Sequence, residues 1–147
     1  MDKKMENFVL DVVKNHNILT LATLRGDGYP QANTVTYAND GLTIYFSTAQ
    51  DSQKIKNFKN SNKVSLTIDE EYEDWNKIKG LSMAATAEVL TNPDEIKKAM
   101  DIFVKKFPFL ANMPASETPL AVVKVTPQII SVLNYELGFG HTDLIAV

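Results

Sequence analysis

The 147-residue sequence has no cysteine, only two histidines, a single tryptophan and no excess of positive charge. Without cysteine there are no disulfides, thiolate nucleophiles, iron–sulfur clusters or cysteine-ligated zinc sites. His16 and His141 lie far apart in the chain, so a dedicated histidine metal centre is not expected. No apolar run approaches the roughly 20 residues a membrane-crossing helix needs. The first residues, MDKKMENFVLDVVKNH, lack the apolar centre of a signal peptide. These absences give the expectation of a cytoplasmic protein with no membrane role. Lysine and arginine number 15 against 18 acidic residues, a net charge of −3, which argues against a nucleic-acid partner. What is present is ordinary for one globular domain over residues 1–147: 44% apolar and 22% charged residues.

Apolar periodicity marks the elements. Met5, Phe8, Val9, Val12 and Val13 recur at helical spacing, predicting a helix over about residues 3–15. Ile18 to Leu24, Tyr29 to Tyr37 and Leu42 to Ser47 read as strands joined by glycine-containing turns, an antiparallel meander. Asp51 to Lys59 reads as a short helix. Val64, Leu66 and Ile68 alternate with polar residues in a fourth strand, and Trp75 to Leu90 reads as a long fifth. Asn92-Pro-Asp-Glu95 is a helix start, with a cap, a proline in the first turn and then a carboxylate. Ala121 to Tyr135 is a last strand pair, or one long bent strand interrupted at Pro127. About six strands with three helices and no βαβ alternation predict an antiparallel barrel with peripheral helices.

The most informative run is Thr34 to Lys54, TVTYANDGLTIYFSTAQDSQK. It leads from a hairpin into a helix start that carries a hydroxyl, Ser52, and an ammonium, Lys54. Unpaired N–H groups and the helix dipole make such a start a phosphate site. The same residues also read as a plain cap and a solvated lysine, and Asp51 would oppose an anion. Asn33 and Thr34 are either the solvent-facing side of an alternating strand or directional partners for a ligand. Trp75 either anchors the acidic loop Asp69 to Asp74 or offers a platform to a flat ring. Lys77 and Lys79 share one strand face. Gly138-Phe-Gly-His141 is either a packed turn or the mouth of a pocket, with His141 as proton donor or substrate contact.

The GDGYPQANTVTY strand pair, the IYFSTAQDSQK element and the late NYELGFGHTDL segment, in this order, resemble the pyridoxamine 5′-phosphate oxidase-like family. The resemblance runs from about Phe8 to Val147. It implies a mainly β fold, a six-stranded antiparallel split β-barrel with Greek-key character, and a homodimer with FMN at the subunit interface. By this resemblance Gln31, Ala32, Asn33, Thr34 and Val35 would lie along the flavin. Ser47 and Thr48 would sit near its ribityl chain, and Ser52, Gln53 and Lys54 would hold its phosphate. Trp75 and Lys77 would come from the second subunit and cover the ring. The sequence departs from the true oxidase: Gln31 and Thr36 stand where an arginine and a lysine are expected. Gln53 replaces a phosphate-binding arginine, and the C-terminal tryptophan and arginine of the substrate motif are absent. The expectation is therefore an FMN-dependent oxidoreductase acting on an unidentified small molecule rather than on a pyridoxamine phosphate. The alternatives are a non-catalytic flavin or heme binding or sensing protein, and a deazaflavin-dependent reductase on the same barrel.

Overall fold

A computed structural model describes residues 1–147 as one curled antiparallel sheet with three α-helices around it. Helix α1 (Lys3–Lys14) starts at Asp2, whose carboxylate accepts the Met5 N–H at 2.8 Å, and buries Val9, Val12 and Val13. The strands are β1 (Ile18–Leu24), β2 (Pro30–Thr36), β3 (Ala38–Asp40), β4 (Thr43–Ala49), β5 (Lys63–Ile68), β6 (Lys79–Val89), β7 (Leu120–Asn134) and β8 (Thr142–Ala146). Helix α2 (Gln53–Asn60) follows β4, and α3 (Pro93–Lys106) follows β6. Asn92 caps α3 as its sequence predicts, accepting the Asp94 N–H at 2.8 Å. None of these helices is long and apolar enough to cross a membrane.

The strand order is β2-β1-β5-β6-β7-β4-β3, with β8 added to β7. Strands β2 and β3 stand at opposite ends of that order, yet only Tyr37 separates them in the chain. The sheet must therefore curl until its ends meet, which makes a barrel with one open seam. Tyr37 closes that seam at one end. Its side chain is fully buried, its N–H donates to the Asn17 carbonyl at 3.1 Å, and its hydroxyl donates to the Val13 carbonyl in α1. Leu21, Ile44, Phe46, Leu66, Ile68, Met83, Val123, Val125 and Ile130 fill the interior.

The split-barrel class holds, with differences in its parts. The expected count of six strands becomes eight, because β3 and β8 carry too few residues to show a period. The expected three-stranded meander is two separate hairpins. Strand β1 gives its second edge to β5 and β4 gives its edge to β7, so β2 and β4 never pair. The long fifth strand begins at Lys79. Trp75–Lys77 is instead a 3₁₀ turn, held by the Asp74 carboxylate accepting the Asn76 N–H at 2.9 Å. Pro127 does not end β7. Ala84 pairs with Ile129 and Ala85 with Pro127, so Gln128 is an extra residue in a bulge. A bulge tolerates the missing proline N–H and bends the strand, which lets β7 serve β4 with one half and β8 with the other.

Candidate functional site

The seam between β2 and β4 is the candidate site. Two backbone bonds fix which way the β2 amides point: Arg25 N–H to the Tyr29 carbonyl, 3.0 Å, and Tyr37 N–H to the Asn17 carbonyl, 3.1 Å. The register between them is unbroken, from Ile18 opposite Thr36 to Leu24 opposite Pro30. Antiparallel ladders alternate bonded and non-bonded pairs, so Gln31, Asn33 and Val35 bond to β1. Ala32, Thr34 and Thr36 turn their backbone groups outward, into the seam. The same logic applies to β4, where the Gln50 N–H donates to the Pro119 carbonyl at 3.0 Å. Even-numbered residues of β4 bond to β7. Thr43 and Tyr45 face β3, which ends the pairing, and Ser47 is left facing the seam.

Between these two strand edges lies a groove of about 760 Å³ lined by Thr34, Val35 and Thr36 from one lip and Ser47 and Thr48 from the other. Lys54 of α2 stands at its rim. Ser52 is the N-cap of α2, but its hydroxyl makes no bond to its own helix; it accepts from Thr48 Oγ1 at 3.1 Å. The first N–H groups of α2 are thus left without a side-chain partner, the condition in which a helix start receives an anion. Lys54 is the one charged residue lining the groove, and no carboxylate does, although the chain as a whole is acidic. Asp51 is exposed and lies outside the lining.

The opposite wall is aromatic. Phe103 and Phe107 of the α3 end stack at 6.5 Å between ring centres, and Phe107 meets Phe109 edge-on at 6.2 Å. Leu110 and Met113 continue this wall. Behind it, Lys106 Nζ donates to the carbonyls of His16, 2.6 Å, and Tyr37, 3.0 Å, and lies 4.1 Å from the centre of the Tyr37 ring. Burial pushes the Lys106 ammonium below its ordinary pKa. Sequence reasoning did not find this wall. Phe107, Phe109 and Met113 follow no helical or strand period, and proline at 108 breaks the pattern; a cluster of unpatterned apolar residues is the only signal they leave.

A family model described as pyridoxamine 5′-phosphate oxidase matches residues 4–134. The chain belongs to that family. General stress protein 26 of Bacillus subtilis (strain 168) is 35% identical over 60 residues, 41% of this chain and 42% of that protein. The match thus spans less than half of that relative's length. A protein related to general stress protein 26 from Clostridium acetobutylicum shares the fold with a TM-score of 0.74 at 19% identity, over 100% of this chain and 97% of that one. A heme binding protein from Mycobacterium smegmatis does so with 0.76 at 20% identity, over 96% of this chain and 56% of that one. At such identities the likeness speaks for the fold alone.

In this member of the pyridoxamine 5′-phosphate oxidase family, the seam brings together Thr34, Val35, Ser47, Thr48 and Lys54, with Ser52 bonded to Thr48. Ala32 shares the outward-facing set of β2, and Asn33 the inward one. Gln31 and Gln53 are not among the residues lining the groove and are tied instead to Asn57. Trp75 and Lys77 sit apart, on the turn beside Tyr135–Leu137; Trp75 is 67% exposed. His141 is also outside the groove, with Nε2 at 2.9 Å from the Asp143 carboxylate. No nucleophile paired with a base lines the groove. Its side chains are suited to hold and orient a ligand.

Proposed function

We propose that the seam binds FMN and that the protein is a flavin-dependent oxidoreductase acting on a small molecule. One observation carries the reading. An open strand edge, Thr34 and Thr36, and an uncapped helix start with Lys54 share a single groove free of carboxylates. The polar edge of an isoalloxazine alternates carbonyl and N–H groups and matches the outward backbone groups of β2. The phosphate goes to the first turn of α2 and Lys54, and the hydroxyls of Ser47 and Thr48 meet the ribityl chain. The aromatic wall and Met113 exclude water from the apolar end of the ring. Bound flavin supplies the two-electron chemistry; the chain positions it and sets the polarity around it.

Heme is the competing ligand, because solved relatives of the same fold include a heme binding protein. Heme iron takes histidine, cysteine, tyrosine or methionine as axial ligand. The chain has no cysteine, and of the other three types only Met113 lines the groove. That favours the flavin. A second copy of the chain completes the site in this reading, placing Trp75 and Lys77 over the ring; the exposed Trp75, Phe139 and Leu144 support such a contact.

Titration of the purified protein with FMN, followed by flavin fluorescence, tests the reading. The double variant Ser52→Ala/Lys54→Ala is expected to weaken binding at least tenfold, about 1.4 kcal/mol. An unchanged dissociation constant refutes the phosphate assignment. The absorption spectrum of the loaded protein separates flavin bands from a deazaflavin or a Soret band. A monomer in sedimentation at micromolar concentration removes Trp75 and Lys77 from the site.

A further inference from the structure

Two polar residues are buried in the protein, Thr23 at 3% and Asn57 at 1% exposure, and they bond to each other. Asn57 Nδ2 donates to Thr23 Oγ1 at 2.8 Å and to Gln31 Oε1 at 3.2 Å. Its Oδ1 accepts from Gln53 Nε2 at 2.8 Å. Burying a primary amide is unfavourable unless its hydrogen-bonding groups are satisfied. Here the carbonyl and the NH₂ of one side chain link three elements: α2 through Gln53, β1 through Thr23 and β2 through Gln31.

The consequence lies in where those partners sit. Gln53 is the first residue of α2, beside the free N–H groups and Lys54. Gln31 is on β2, the strand whose outward edge lines the seam. On its other side, the start of α2 is held to β4 by the Thr48–Ser52 bond. The anion-receiving end of α2 is therefore anchored to both lips of the open seam, and Asn57 makes the anchor to β2. An apolar residue at position 57 would pack against the barrel but would leave the first turn of α2 free to shift along it.

We infer that Asn57 is a positioning residue that sets the distance between the phosphate-receiving helix start and the ring-binding edge of β2, and so selects ligands bearing a terminal phosphate. The inference rests on the flavin reading of the groove. It assigns Gln31 and Gln53, through their side chains, to the geometry of the site and not to ligand contact.

The experiment compares FMN with riboflavin, which has the same ring and ribityl chain without the phosphate. Affinities are measured by fluorescence titration well below the melting temperature of each variant. Wild type should prefer FMN. Asn57→Leu, of similar size and good helix propensity, should lower FMN affinity tenfold or more and riboflavin affinity less than twofold, so that the preference disappears. Thr23→Val removes the buried hydroxyl with little change in shape and should act in the same direction. Thr23→Ser keeps the hydroxyl and should retain the preference. Equal loss for both ligands, or no loss for either, overturns the inference. If wild type binds neither flavin, the flavin reading fails, and the positioning role is then judged with inorganic phosphate alone. Phosphate-induced shifts of the Lys54 and Ile55 amides in wild type that vanish in Thr23→Val would uphold it. Shifts that persist in the variant, or are absent from wild type, would overturn it.

Discussion

The two sides of this barrel are built on opposite terms. On the closed side, β5, β6 and β7 pair along most of their lengths, and Leu66, Met83 and Ile130 point into an interior that water does not reach. On the open side, β2 and β4 face each other unpaired, with threonine, serine and one lysine along the gap. Unpaired strand edges invite association and are normally covered or charged. Here the edge is kept, and hydroxyl side chains sit where apolar ones would have sealed it. The difference shows that the fold holds itself together on one wall and leaves the other open, the opening on which the proposed flavin site depends. It also explains why the anchors of the open side are polar. Tyr37, Lys106, Asn57 and Thr48 fix its borders by hydrogen bonds, which for the buried Tyr37 add to packing in the core.

The largest effect expected from breaking that division is on the closed wall. Ile130→Ala, at a fully buried position, should cost about 2–5 kcal/mol in denaturant unfolding. A loss below 1 kcal/mol would mean that the wall is not the stabilising half. Lys106→Met comes next. It leaves the carbonyls of His16 and Tyr37 without their donor and should cost about 1–3 kcal/mol. The pH dependence has a definite sign. Burial holds the Lys106 ammonium below its ordinary 10.5, so the unfolded chain binds that proton more tightly. As pH rises toward 10.5, wild type should gain stability relative to Lys106→Met. No relative change over that window would show that the amine is solvated in the folded protein. A relative loss would show that the carbonyls it bonds hold the ammonium more tightly than water does.

The closed wall was legible in the sequence and the open one only in fragments. Val64, Leu66 and Ile68 alternate because one face of β5 meets the core and the other meets water, and that period survives in the structure unchanged. Asn92-Pro93 marks the start of α3 for an equally local reason. The order of strands is not local. Nothing in residues 29–49 states that β2 will leave β4 and stand across a seam from it; that outcome depends on β5 and β7, which come later in the chain. Ser52 and Lys54 stand out locally because a hairpin feeding a helix start is a local motif. Ser47 and Thr48 enter through the family resemblance, and Thr34 reads equally as a solvent-facing strand residue. The Asn57 network escaped notice because its partners, Thr23 and Gln31, are 34 and 26 residues away. A buried asparagine in a short amphipathic helix looks in sequence like one more surface residue. Trp75 shows the reverse error, since an aromatic beside alternating lysines suggested a strand where Asp74 caps a turn.

The smallest effect expected is the sharpest test of the division. Thr34 lies in the middle of β2, with its side chain exposed and without a hydrogen bond to any other side chain. If the seam is a ligand surface and no part of the folding core, Thr34→Ala should change unfolding stability by no more than about 0.5 kcal/mol, as exposed substitutions do. A loss above 1 kcal/mol in the isolated protein would mean that the lips of the seam close on each other. The groove would then be a packing defect, with its hydroxyls buried against one another rather than turned toward a ligand. The measurement needs no cofactor, so it judges the open side of the barrel on its own terms.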